Sequence, residues 1–276
     1  MKEPTRVSSL GPVAETLLIP LCYRAMESRR VDAILRDERA ALLVEQLDFD
    51  FAGLERQQSQ MVFVMLRARQ FDRWVGEFLE HGPVGAAGRP VVVEIGCGLD
   101  TRFERLGRPL ADWFVLDLPE VMELRRQLLG EPEGYRELAG SAFDLSWLEA
   151  LGPAAGRRVL FLAEGVFPYF AEAEVRRLVL AMHERFPGAE LVFDAVPPLE
   201  AKLSGLHPSL RASKARARAV WGMRHDRDPE GWAPGILLLA VWRYFDESEP
   251  RLGLYRLMKL VLPFANGFRV VRYRLC

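Results

Sequence analysis

The stretch Val91-Val92-Val93-Glu94-Ile95-Gly96-Cys97-Gly98-Leu99-Asp100-Thr101 decides the fold. Its first five residues are almost all β-branched and read as a buried strand, and the run ends in glycines, as strands of a parallel sheet commonly do. Gly96 and Gly98 let the main chain turn sharply and let a bound molecule approach the backbone. Immediately upstream, residues 82–90 (GPVGAAGRP) form a Gly/Pro/Ala loop.

Working outward, further strands are expected at residues 113–118, at 135–139 (the weakest), at 159–163 and at 191–196. Helical patterns at 120–129, 146–151 and 172–186 separate most of them. Alternating strands and helices mean βαβ units and a parallel sheet. Residues 236–245 and 268–275 read as a terminal antiparallel pair. The fold class is therefore α/β, a Rossmann-like doubly wound, mostly parallel seven-stranded sheet. Before it, residues 13–80 read as helices, with apolar residues at helical spacing in 38–47 and 61–79. Four parts are expected: an N-terminal helical cap (1–81), a ligand-binding core (82–198), an insertion acting as a lid (199–235) and two strands completing the sheet (236–276).

Composition narrows the class. The 276 residues are 50% hydrophobic and 27% charged, which is globular and rules out a disordered or collagen-like chain. Basic and acidic residues number 37 and 38, so there is no electrostatic footprint for nucleic acid. Only Lys2, Lys202, Lys214 and Lys259 are lysines; genomic base composition explains this as readily as arginine clusters for phosphate do. Cys22, Cys97 and Cys276 are odd in number and far apart, which excludes a disulfide framework and CxxC metal spacing. With His81, His183, His207 and His225 scattered, no metal site is expected. The apolar run 17–23 is interrupted by Pro20 and is too short for a bilayer, so no membrane association is expected and the default location is the cytoplasm.

Asp117, at the end of the second strand with Leu118 beside it, lies 19 residues past Gly98. In doubly wound folds an acid there accepts hydrogen bonds from ribose hydroxyls. A dinucleotide fingerprint would place Gly or Ala three residues after Gly98, where Thr101 stands. Glu94 and Asp100 would also repel a pyrophosphate, whereas S-adenosylmethionine carries an ammonium and a sulfonium. The local chemistry favours this methyl donor over NAD. Asp144 follows the third strand and suits the adenine amino group, with the Leu145 amide donating to a ring nitrogen. Its competing reading is a helix N-cap. Glu164 ends the fourth strand, at the edge facing the ligand crevice.

The segments VVVEIGCGLDTRFERL, DWFVLDLPEVMELRRQLL, AFDLSWLEAL, VLFLAEGVFPYFAEAEVRRLV and FPGAELVFDAVPP resemble the leucine carboxyl methyltransferase-like family. That family contains protein phosphatase methyltransferases and tetracenomycin-type polyketide O-methyltransferases, and the details are closer to the latter, bacterial branch. The resemblance spans about residues 13–275. It implies a class I S-adenosylmethionine-dependent methyltransferase, with Gly96, Gly98 and Glu164 along the methionine part, Asp117 on the ribose, and Asp144 and Leu145 at adenine. It also implies that Arg67 pairs with the donor carboxylate. Arg69 is the alternative partner, since residues two apart on a helix face different ways. Arg24 is a further candidate donor contact. Tyr169 falls where the family walls its acceptor pocket.

His207, Trp221 and His225, in the insertion, are the remaining candidate acceptor contacts. No residue declares itself as a catalytic base. A carboxylate acceptor needs none, while a phenol does. Three functions stay open: an O-methyltransferase for a carboxyl or phenolic oxygen of a small aromatic or polyketide-like metabolite, a methyltransferase for a protein C-terminal carboxyl, and a non-catalytic S-adenosylmethionine-binding protein. Oligomeric state is not legible.

Overall fold

The structure is a computed structural model describing residues 5–6, 14–56, 58–80, 88–130, 133–153, 156–204, 218–257 and 266–276. One sheet holds β1 (Val91–Ile95), β2 (Asp112–Asp117), β3 (Tyr135–Ala139), β4 (Val159–Ala163), β5 (Ala189–Ala195), β6 (Ile236–Arg243) and β7 (Arg269–Leu275). Their order across the sheet is β3-β2-β1-β4-β5-β7-β6. The first five strands pair parallel, and β7 runs antiparallel to both β5 and β6. This is the Rossmann-like sheet expected, with the late strands forming the antiparallel pair. The order reverses between β1 and β4, and such a switch point opens a crevice at the carboxyl ends of the strands.

Burial explains the apolar strands. Every residue of β1 and β4 is buried. Val91, Val93 and Ile95 pack on one face with Val175, Leu178, Val179 and Met182. Those four residues belong to the helix Glu172–Arg185. Val92 packs on the opposite face with Phe71, Trp74, Val75 and Phe78. Both faces being covered is why the strands read as continuous apolar runs rather than alternating ones. Strand β5 starts two residues before its expected position because charged Glu190 masks it in the sequence. In the sheet Glu190 is buried and pairs with Arg272 of β7.

Residues 14–80 are mainly helical: α1 (Leu18–Ser28), α2 (Glu38–Glu45), α3 (Ala52–Glu55) and α4 (Gln58–Glu80). Pro20 falls in the first turn of α1, where its missing N–H costs nothing. A two-residue parallel pair, Thr5–Arg6 with Leu47–Asp48, interrupts the helical run. Burying Phe71, Trp74, Val75 and Phe78 of α4 contributes roughly 1.5–3 kcal/mol per side chain, which fixes α4 across the sheet.

Two large side chains of the insertion lie in the core rather than on a surface. Trp221 and Met223 are buried in the core cluster of the β1, β4 and β5 face, together with Phe193 and Tyr273. The Trp221 ring stacks on Phe193 with centroids 6.4 Å apart and leans on Trp232. The aromatic content taken for an acceptor-binding surface therefore belongs to sheet packing.

Candidate active site

A cavity of about 710 Å³ opens at the carboxyl ends of β1, β2, β4 and β5. The β1 turn forms its floor. Gly96 has φ +65°, and a Cβ there would lie 2.5 Å from Val166 Cγ2, so only glycine fits. Gly98 has φ +50°, with Leu17 Cβ 3.1 Å from where its own Cβ would be. The Gly98 N–H donates to Asp117 Oδ2 and the Leu118 N–H to Asp117 Oδ1, each at 2.7 Å. Asp117 is thereby oriented at the end of β2, and each oxygen keeps a lone pair for the cavity. Burial pushes its carboxyl up from the ordinary value, against the two amide donors.

Arg67 of α4 also lines the cavity. Its Nε donates to Glu164 Oε1 at 2.9 Å and its Nη1 to Asp194 Oδ2 at 3.0 Å. Burial weakens the guanidinium's hold on its proton, but Asp194 and Glu164 outweigh it and raise the pKa. Its Nη2 stands 3.3 Å from an ideal Cβ on Gly165, beside the open space. Arg69 points elsewhere: it pairs with Glu247 at 2.8 Å and does not line the cavity. The helix thus presents Arg67, not Arg69.

Beneath lies a hub that sequence reasoning missed. Arg102, buried at 2% exposure, donates to Asp72, Glu94 and Glu164 at 2.8, 2.7 and 2.6 Å and lies 3.0 Å from Asp100. Arg105 joins Asp72, Asp100 and Asp37. Arg102 follows the glycine turn directly, but its partners come from 30 residues upstream to 62 downstream, so no local pattern reveals it. The hub also revises the charge argument. Glu94 and Asp100 are not free anions awaiting a cation; both are paired with Arg102, and Asp100 with Arg105 as well. Burial pushes the Glu94 carboxyl up, with Arg102 opposing. Asp100 is half-buried, and its partial burial works the other way, yet Arg102 and Arg105 hold it well below the usual carboxylate range.

The other expected residues divide. Arg24 lines the cavity, but its Nε holds Asp37 and its Nη2 the Leu99 carbonyl, both at 2.8 Å, so it braces the glycine turn. Thr101 Oγ1 sits 2.7 Å from both oxygens of Asp37, tying that turn to the N-terminal helices. Asp144 is exposed and away from the cavity; its Oδ1 accepts the Ser146 N–H at 3.2 Å, at the start of the helix Trp147–Ala150. Leu145 does not line the cavity either. From that loop Gly140, Ser141 and Ala142 do. Tyr169 lines the cavity, and burial pushes its phenol up. Trp221 and exposed His225 lie off the cavity, and His207 is outside the described residues. Side chains missed from sequence include Phe63, Tyr244, Phe245 and Phe268, which line the same cavity as Tyr169 and Phe170; Phe63 packs against Tyr244 and Phe245, and Phe245 against Phe268.

Among the described residues, no group of His, Cys, Asp and Glu side chains is arranged to hold a metal, and no helix is long and apolar enough to cross a membrane.

Strand order, glycine turn and the acid ending the second strand define the class I methyltransferase architecture. A family model for leucine carboxyl methyltransferase matches residues 18–183. The chain is 33% identical over 238 residues to the tetracenomycin polyketide synthesis O-methyltransferase TcmP of Streptomyces glaucescens, covering 86% of this chain and 85% of the relative. It is 29% identical over 248 residues to the S-adenosyl-L-methionine-dependent methyltransferase dpfgK of Gibberella zeae, covering 83% and 81%. Among solved structures, a DUF574 family protein from Streptomyces avermitilis superposes with a TM-score of 0.57 at 14% identity, covering 93% of this chain and 97% of the other, a likeness of fold alone. The chain belongs to the leucine carboxyl methyltransferase family. It is an S-adenosylmethionine-dependent methyltransferase.

Proposed function

We propose that the protein methylates an oxygen, carboxyl or phenolic, of a small aromatic or polyketide-like metabolite in the cytoplasm. The carrying observation is the aromatic wall of Phe63, Tyr169, Phe170, Tyr244, Phe245 and Phe268, which shares one cavity with Asp117 and the glycine turn. Flat rings suit such a wall, through stacked or edge-on contacts. The likeness to a polyketide O-methyltransferase supports the same reading.

The donor end fits S-adenosylmethionine. Asp117 offers lone pairs to a ribose, and Leu118 with Gly140, Ser141 and Ala142 lines the way to an adenine. Arg67 has N–H groups beyond those given to Glu164 and Asp194, enough for a donor carboxylate. Gly96, Gly98 and Glu164 border the methionine part, with Glu94 supporting Arg102 below. When bound, S-adenosylmethionine supplies a methyl group on a positively charged sulfur. The chain's own residues align the acceptor oxygen with that methyl and exclude water, which is most of what a displacement releasing a neutral sulfide requires. In this reading residues 1–81 cap the donor, 82–198 bind it, and 236–276 complete the sheet. Among the described residues of segment 199–235, Glu200, Ser204 and Ala219 line the cavity, where they border the acceptor in this reading.

The test is turnover by the purified protein with S-adenosylmethionine and, in parallel, 1-naphthol, 4-nitro-1-naphthol, 1-naphthoic acid and a peptide with a free C-terminal leucine. The expected result is methylation of naphthalene acceptors. Methylation of the peptide alone overturns the aromatic reading.

A further inference from the structure

Methylation of a hydroxyl releases a proton, and we infer that the Glu200 carboxylate receives it from the acceptor. The inference rests on the aromatic-acceptor reading and applies to its phenolic branch. Glu200 sits on the short helix Pro198–Leu203, which leaves the carboxyl end of β5, and it lines the cavity with Ala195, Val196 and Ser204.

Its distinction is what it does not touch. Among the described residues, Glu200 has no hydrogen-bond or ion-pair partner. Every other carboxylate lining the cavity is committed: Glu94 to Arg102 and Trp113, Asp100 to Arg105, and Asp117 to two backbone amides. Glu164 is held by Arg67 and Arg102, and Asp194 by Arg67 and the Gly165 N–H. A carboxylate in a double ion pair is a poor base, because its lone pairs and charge are already used. Burial alone pushes the Glu200 carboxyl up from its ordinary value. That shift narrows the gap to a phenol and improves the match for proton transfer.

Rival bases fail on the same geometry. No described histidine lines the cavity. Burial raises the thiol of Cys97 and the phenols of Tyr169 and Tyr244, so all three stay protonated near neutral pH. The titratable groups on the neighbouring walls, Glu164, Asp194, Tyr169 and Tyr244, belong to the Arg67 cluster, and none of them shifts Glu200.

The step balances. The acceptor O–H bond breaks and its proton passes to a Glu200 oxygen. The oxygen forms a bond to the methyl carbon as the carbon–sulfur bond breaks, its electron pair remaining on sulfur. Glu200 then releases the proton to water.

The experiment compares wild type with Glu200→Gln on two acceptors at pH 7.5: 1-naphthol, which is protonated, and 4-nitro-1-naphthol, which is already ionised. The variant is expected to lose roughly 10²-fold in kcat on 1-naphthol and no more than about 2-fold on 4-nitro-1-naphthol, the pattern of a missing base. Titration with S-adenosylhomocysteine is expected to give the same Kd for both proteins, which also shows that the variant is folded. With 1-naphthol the variant's rate is expected to rise with pH as the acceptor itself ionises, and Glu200→Asp to recover part of the loss. Equal losses on both acceptors, or none on either, overturn the role of Glu200 while the aromatic reading stands. Wild type that methylates 1-naphthoic acid but neither naphthol overturns the base while leaving an aromatic carboxyl acceptor. Wild type inactive on all three removes the aromatic reading itself.

Discussion

Arg102 Nη2 donates to Glu164 Oε2 across 2.6 Å, while Arg67 Nε holds the other oxygen of the same carboxylate at 2.9 Å. One acid at the end of β4 therefore clasps two arginines, one from the helix after the glycine turn and one from α4. The N-terminal cap and the sheet meet at this point, beneath the cavity. The cavity therefore rests on a framework of buried ion pairs.

Arg102→Ala is expected to destabilise the fold by ~3–5 kcal/mol, the cost of stripping one partner from buried ion pairs. Glu94, Asp72 and Glu164 each lose a charge-assisted hydrogen bond. Lysine recovers only part, because a single ammonium cannot fork among them. Urea denaturation at pH 7 checks this, and an unchanged midpoint contradicts the hub.

Arg67→Ala is expected to weaken S-adenosylhomocysteine binding by ~1.5–3 kcal/mol, the scale of hydrogen bonds to charged groups. Arg69→Ala leaves it unchanged, since Arg69 faces Glu247. Calorimetric titration of the pair separates the two arginines, and the reverse pattern would place the other face of α4 over the donor.

Asp117→Ala is expected to lower donor affinity by a similar ~1.5–3 kcal/mol. Asp144→Ala, by contrast, leaves it unaltered within error, because that carboxylate caps the Ser146 N–H on the exposed side of its loop. A marked loss with Asp144→Ala would mean that the loop turns inward on binding.

Trp221→Ala is expected to cost ~3–5 kcal/mol of stability, as large aromatic truncations in cores do. The acceptor KM of the protein that remains folded stays near wild type. His225→Ala changes neither. Thermal melts and kinetics together decide: a raised KM with an unchanged melting temperature returns Trp221 to the acceptor surface.

The strands were readable because both faces of the parallel sheet are covered, which leaves unbroken β-branched runs such as residues 91–93. Asp117 was readable for a related reason: a strand end followed by an acid at a fixed distance from a glycine turn is a local signal. Arg102 was not, since its importance lies in partners that only the folded chain assembles. Asp144 had two local readings of equal physical merit; in the structure its carboxylate accepts the Ser146 N–H two residues on and stands off the cavity, while the N-cap of the helix Trp147–Ala150 is Ser146 itself. Trp221, which the structure buries in the core, was not readable as such, because an aromatic among glycines and arginines looks the same in sequence whether it walls a pocket or fills a core. Glu200 carried no mark at all, because standing without a partner among the described residues is a property of space.

Strand β7 lies between β5 and β6, although it is made after both. During synthesis β6 therefore has no neighbour to pair with, and the edge of β5 stays open until residues 269–275 have cleared the ribosome. Val192 and Phe193 lie along that edge, an apolar template of the kind that invites pairing with other chains. The enzyme's vulnerable interval is thus the time between emergence of residue 195 and residue 275. A ribosome stalled within it would display a nascent chain with five strands assembled and one edge sticky, a natural client for chaperones.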